Sequence, residues 1–316
     1  MTSPLLSISD LVVEYRRPGQ GPTRAVAGVS LSVHAGEVVG LVGESGCGKS
    51  TLARAICGLT APAKGELSFE GTKVRPLRFQ RRDPALTRIQ MVFQDPYGSL
   101  NPRRSIGSQI LDGVRAAAER GDIDVASSAQ DRAEHLLTRV GLPADVAERY
   151  PHEFSGGQLQ RIALARALAA RPRLLIGDEP ISALDASAQL QVATLMRALA
   201  VKSGAGLLFI SHDLSIVRLI ADRIAVMYLG RIVETGPTAD VWDHPRHPYT
   251  QALLAAIPQP DGAGRLPAEL AGDVPNPSAR PTGCSFHPRC PRAFDGCDRE
   301  EPPLLASGVA CRLYTT

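Results

Sequence analysis

The chain has 316 residues, which at about 150 residues per domain suggests two domains and leaves ample length for a hydrophobic core, so a disulfide-stapled miniprotein is excluded. With 44% hydrophobic and 21% charged residues, the composition is that of a globular protein rather than a disordered or fibrous one. Against 35 Lys and Arg stand 32 Asp and Glu, and the resulting +3 gives no strong footprint for nucleic acid or anionic lipid. No apolar run approaches the roughly 18 residues that span a bilayer, and the Met1–Pro4 start lacks a basic-then-apolar secretory pattern, so a cytosolic location is expected.

Apolar alternation over Leu6–Val13 predicts a strand, and the β-branched run Glu37–Val42 predicts another. The second runs into Gly43-Glu44-Ser45-Gly46-Cys47-Gly48-Lys49-Ser50, which fits G-x-x-x-x-G-K-[ST] and precedes a helical stretch from Lys49. Strand, glycine loop, helix is the context this phosphate-binding motif demands. Glycines let successive backbone N–H groups curl around phosphate oxygens, and the helix N-terminus adds positive dipole. Lys49 can reach the β- and γ-phosphates, and the Ser50 hydroxyl can bind Mg²⁺. Thr51 follows on the same helix. Cys47 reads as a small filler, because no basic partner that would activate it is evident.

Further along, Ile89–Phe93, Leu174–Ile176, Leu207–Ile210 and Ile224–Met227 are short apolar runs with polar or Gly boundaries, as buried parallel strands are. Between the first two, Ser105–Glu148 is charged, Ala-rich and helix-forming, which predicts a helical insertion in an α/β core. The Leu174 strand ends in Asp178-Glu179, two carboxylates in an apolar setting that call for a cation. Asp178 would hold Mg²⁺ through its water shell, and Glu179 would act as general base on an attacking water. A helix-capping pair is the plainer alternative, and the phosphate loop weighs against it. From Asp261 onward the chain is Pro-rich and reads as loop, and it holds four of the six cysteines.

Phe154-Ser155-Gly156-Gly157-Gln158, followed by Leu159-Gln160-Arg161, resembles the signature motif of ATP-binding cassette (ABC) ATPases. In the order that this family shows, Gln94 resembles its Q-loop glutamine, Ser182-Ala183-Leu184-Asp185 its D-loop and His212 its switch histidine, while Tyr15 stands where an aromatic stacks on adenine. The resemblance implies an α/β fold: a RecA-like P-loop core with an antiparallel β edge and a helical subdomain at about 95–165, making a cassette over 1–260, with a Cys-rich extension over 261–316. It implies that ATP is bound by Tyr15, Gly43 through Thr51, Asp178 and Asp185, that Mg²⁺ is bound by Ser50, Gln94 and Asp178, and that Glu179, His212 and Gln94 are catalytic. In this family Ser155, Gly156, Gly157 and Gln158 face ATP held by another cassette, so a second cassette is implied. Phe154 replaces a commoner Leu conservatively. At Gly177 a bulkier residue is usual, and looser packing is expected there.

The stretch Asp95-Pro96-Tyr97-Gly98-Ser99-Leu100-Asn101-Pro102-Arg103 is similar to cassettes of oligopeptide and dipeptide importers. So are His247-Pro248-Tyr249-Thr250 and Gly283-Cys284-x-Phe286-x-Pro288-Arg289-Cys290-Pro291. The phosphate loop and the Ser99–Arg103 run look more like the second (F-type) of that subfamily's two cassettes. The resemblance implies an ATPase subunit peripheral to the cytoplasmic face of the membrane. It would work with a related cassette, two permease subunits and, indirectly, an extracytoplasmic binding protein, with no nucleic acid. A cassette for nickel or another small solute is the alternative, since metal importers use related subunits. A soluble ABC ATPase in translation or repair typically has fused cassettes or coiled-coil arms, and this chain shows neither. The tail cysteines are spaced C-x5-C-x6-C-x13-C. A zinc ribbon favours C-x2-C pairs and a reducing cytosol disfavours disulfides, which leaves an iron–sulfur cluster, zinc or free thiols. The subfamily resemblance implies a [4Fe-4S] cluster on Cys284, Cys290, Cys297 and Cys311.

Overall fold

The computed structural model describes residues 3–16, 21–77, 82–123, 129–258 and 272–315, so the boundary expected at 260/261 lies outside the described residues. The elements run β1 (Leu6–Tyr15), β2 (Thr23–Val33), β3 (Val38–Val42), α1 (Lys49–Ile56), β4 (Lys64–Phe69), β5 (Thr72–Lys73), β6 (Ile89–Val92), α2 (Pro96–Ser99), α3 (Ile106–Glu119), α4 (Ala129–Arg139), α5 (Gly156–Ala169), β7 (Leu174–Asp178), α6 (Ala186–Ser203), β8 (Gly206–Ser211), α7 (Leu214–Ile220), β9 (Arg223–Tyr228), β10 (Arg231–Pro237), α8 (Thr238–Asp243) and α9 (Pro248–Ala255). They fall into two compact units, each discontinuous in sequence.

The first unit gathers the described residues within Met1–Leu6, Ser32–Val38 and Ser68–Ile210. Its β6, β7 and β8 form a parallel ladder, with Ile89 opposite Leu174 and Leu174 opposite Gly206. Every residue of β7 and β8 is buried, which is why these strands read as unbroken apolar runs rather than alternations. The expected helical insertion is present as α3, α4 and a 3-10 turn at Ala144–Glu148. The Ser105 side chain accepts from the Ser108 N–H and starts α3, which buries Ile106, Ile110, Val114 and Ala117 along one stripe. A Cβ on Gly113 of α3 would stand 2.8 Å from the Ala169 Cβ at the end of α5, so glycine permits this close helix crossing.

The second unit gathers the described residues within Ser7–Leu31, Val39–Leu67 and Ser211–Thr316. Here β3 pairs parallel with β9, and β9 pairs antiparallel with β10. The chain is thus α/β with both parallel and antiparallel pairing. A Cβ on Gly40 would meet the Val217 Cγ1 at 2.3 Å, so α7 lies on β3 through a glycine gap. Residues 272–315 carry only two short 3-10 turns, His287–Arg289 and Arg312–Tyr314. They dock on β10 through Thr235 N–H to Gly308 O at 2.7 Å and Ala310 N–H to Val233 O at 2.8 Å. Phe286 is buried there against Tyr228, edge-on at 5.3 Å, and Tyr249, at 5.4 Å, an aromatic core for a stretch without periodicity. No described helix is long and apolar enough to cross a membrane.

Candidate functional site

In the second unit, the loop from β3 to α1 has its glycines where side chains cannot go. A Cβ on Gly43 (φ +150°) would stand 2.1 Å from the Met227 carbonyl oxygen, and one on Gly48 (φ +110°) 2.1 Å from that of Ala25. Gly46 instead faces open space, and Ser45 and Gly46 are exposed. The loop is therefore walled on the protein side and open at its tip, as a cradle for phosphate oxygens must be. Lys49 is 4% exposed, and its Nζ donates to Gly43 O at 2.8 Å and Glu44 O at 3.0 Å. Contrary to the expectation that Cys47 has no basic partner, Lys49 Nζ lies 3.9 Å from its Sγ, but burial outweighs that charge and raises the thiol pKa, in keeping with a filler. The Tyr15 hydroxyl lies 3.4 Å from Thr51 Oγ1, and Tyr15 is 41% exposed.

Glu44 points elsewhere. Its N–H donates to the Tyr249 hydroxyl at 2.9 Å, and its carboxylate takes both arms of the Arg289 guanidinium at 2.8 and 3.1 Å. Sequence reasoning left Tyr249 and Arg289 without a role at the loop. The only signal for them was an acidic residue inside a motif built to receive phosphate, which requires a neutralising partner.

In the first unit, Asp178 ends β7 and is buried, and Glu179 follows at φ +46°, a strained conformation for a non-glycine residue. The Glu179 N–H donates to Ile210 O at 3.0 Å, and the Gln94 Nε2 donates to the Glu179 carboxylate at 3.4 Å, so these two predicted catalytic residues are brought together. The looser packing expected at Gly177 is not found. A Cβ there would meet Pro180 Cγ at 2.9 Å and Met196 Cε at 3.0 Å, because those side chains already fill the space. Ser155 N-caps α5 in a capping box with Gln158, its N–H donating to Gln158 Oε1 at 3.0 Å, while Gly156 and Gly157 form the first turn. Asp185 N-caps α6 through the Ala188 N–H at 3.0 Å, a bond that holds its carboxyl below the usual range. Gln94, Ser155, Gln158 and Asp185 are all exposed, as is His212 of the second unit.

Cys284, Cys290, Cys297 and Cys311 border one cavity of about 20 Å³ in the second unit. Burial pushes the Cys284 thiol up to about 11, the other three thiols adding to the shift, and burial also raises Cys290 and Cys311. Among the described residues, however, no three His, Cys, Asp or Glu side chains stand where they could hold a metal ion.

The ABC transporter family model matches residues 26–182, and that of the oligopeptide/dipeptide transporter C-terminal region matches residues 233–297. A probable peptide ABC transporter ATP-binding protein of Sinorhizobium fredii is 46% identical, over 99% of this chain and 91% of its own length. The oligopeptide transport ATP-binding protein AppF of Bacillus subtilis is 45% identical, over 93% of this chain and 91% of its own. Among solved structures, the cassette MJ0796, a dimer in a post-hydrolysis state with ADP and Pi, superposes with a TM-score of 0.63 at 27% identity, covering 74% of this chain and 98% of that one.

Proposed function

The chain belongs to the ATP-binding subunits of ABC transporters, in their oligopeptide/dipeptide branch, and from that membership we propose that it hydrolyses ATP to drive peptide import. The observation that carries this reading is that an ABC cassette and an oligopeptide-transporter C-terminal region are matched on one chain whose relatives align along nearly all of it.

In this reading Tyr15 stacks on adenine, and the loop from Gly43 to Thr51 receives the phosphates; the open tip at Gly46 supports this. Glu179 removes a proton from the attacking water, with Gln94 orienting its carboxylate, and His212 completes the catalytic set. Ser50, Gln94 and Asp178 offer hydroxyl, amide and carboxylate oxygens, a donor set that suits Mg²⁺, and that ion would neutralise charge on the phosphate oxygens. Ser155, Gly156, Gly157 and Gln158 contact ATP held by a second, related cassette, and the exposure of Ser155 and Gln158 supports that arrangement. Two permease subunits hold the pair at the cytoplasmic face of the membrane, around the segment 95–103. A strain lacking this chain should lose uptake of labelled oligopeptide and retain uptake of nickel. Loss of nickel uptake alone would make it a metal-importer subunit, and loss of neither would overturn peptide import.

The four tail cysteines hold a [4Fe-4S] cluster in this reading. The all-sulfur chemistry of the four side chains supports it, and thiol deprotonation, together with a rearrangement that brings the thiols into ligating position, would accompany iron binding. Anaerobically purified protein should be brown, with about four irons per chain. A colourless protein, with stoichiometric zinc or with neither metal, would sink the assignment.

A further inference from the structure

An acidic side chain in a loop that must accept a triphosphate is electrostatically misplaced unless something neutralises it. Glu44 is that residue, and its neutralisation comes from the Cys-rich segment. Arg289 meets the carboxylate with two parallel bonds, Nη1 to Oε2 at 2.8 Å and Nη2 to Oε1 at 3.1 Å. The Arg289 side chain is 4% exposed and lies 5.9 Å from the centre of the Tyr228 ring, whose hydroxyl is 3.5 Å from Nη1. A forked pair of this kind fixes geometry as well as charge, and removing one partner strands the other's charge. The loop residue is held a second time at its backbone, where the Glu44 N–H donates to the hydroxyl of the fully buried Tyr249. Lys49 rests its ammonium on the carbonyls of Gly43 and Glu44, so whatever fixes Glu44 also fixes the place from which Lys49 meets phosphate.

We infer that Arg289 is a positioning residue for nucleotide binding: by neutralising and orienting Glu44, it makes the phosphate loop's fit for ATP depend on the segment that carries the four cysteines. The inference rests on the loop being the ATP site. Arg289 is the last residue of the 3-10 turn His287–Arg289 and immediately precedes Cys290, so a rearrangement of that thiol would be felt at the loop through this side chain.

Calorimetric titration of the full chain with MgATP tests it, because stoichiometry reports the folded fraction and Kd reports the loop. Arg289→Met should raise Kd about tenfold at unchanged stoichiometry, the scale of one uncompensated negative charge near the phosphates. Arg289→Lys, which keeps the charge but loses the fork, should fall between. The double variant Arg289→Met/Glu44→Gln should return to within about threefold of wild type, since the stranded carboxylate is gone. If Arg289→Met does not fold, the comparison of wild type, Arg289→Lys and the double variant decides. A wild-type Kd in Arg289→Met, or a double variant no tighter than the single one (or, without a folded single, tenfold or more weaker than wild type), would overturn the role of Arg289. Failure of the wild-type chain to bind ATP would overturn the ATP site itself.

Discussion

Glu179→Gln should lower ATP turnover about a thousandfold while leaving ATP binding within a few-fold of wild type, the range expected for loss of a general base. The substitution keeps the size and hydrogen-bonding reach of the side chain and removes only its ability to take a proton. Its surroundings support so narrow an effect: Gln94 holds the carboxylate, the Glu179 N–H is bound to Ile210 O, and the Ser182 hydroxyl donates to the Glu179 carbonyl at 3.1 Å. The backbone at φ +46° is thus fixed from both sides, and an amide occupies the same place without rearranging β7. Phosphate release at saturating ATP checks this, alongside calorimetric binding. Turnover within twofold of wild type would remove Glu179 from the role of base.

Lys49→Ala should weaken ATP binding by about a hundredfold, close to 3 kcal/mol, because in the proposed reading the change removes both a phosphate contact and a clamp. The ammonium donates to Gly43 O and Glu44 O, which hold it against the loop. The same calorimetric titration checks it. An unchanged Kd would mean that the ammonium stays on those carbonyls and never meets phosphate.

The parallel strands were legible because burial on both faces leaves unbroken apolar runs; Leu174–Ile176 and Leu207–Ile210 were found within β7 and β8, short only at their polar or glycine ends. β2 was missed: its pattern of buried and exposed residues shifts register around Ala27 and Gly28, which breaks a simple alternation. The phosphate loop could be read from spacing alone, since the chemistry of successive N–H groups needs its glycines at fixed intervals. Ser155 and Gln158 show the opposite case, where one motif serves both as helix cap and as signature, and only the exposure of both side chains leaves room for a second duty. The anchoring of Glu44 was invisible for a different reason. Tyr249 and Arg289 lie 205 and 245 residues from it, and no local periodicity encodes a contact made across that distance. At Gly177 the family comparison misled, because Pro180 and Met196 supply the bulk that the glycine lacks.

The most direct test of the whole account is ATP-driven uptake of a labelled oligopeptide into membrane vesicles that carry the permease and both cassettes, with this chain either wild type or Glu179→Gln. Uptake that requires ATP with the wild-type chain and falls to background with the variant is the predicted result. Uptake that proceeds equally with the variant, or that never depends on this chain, would contradict it.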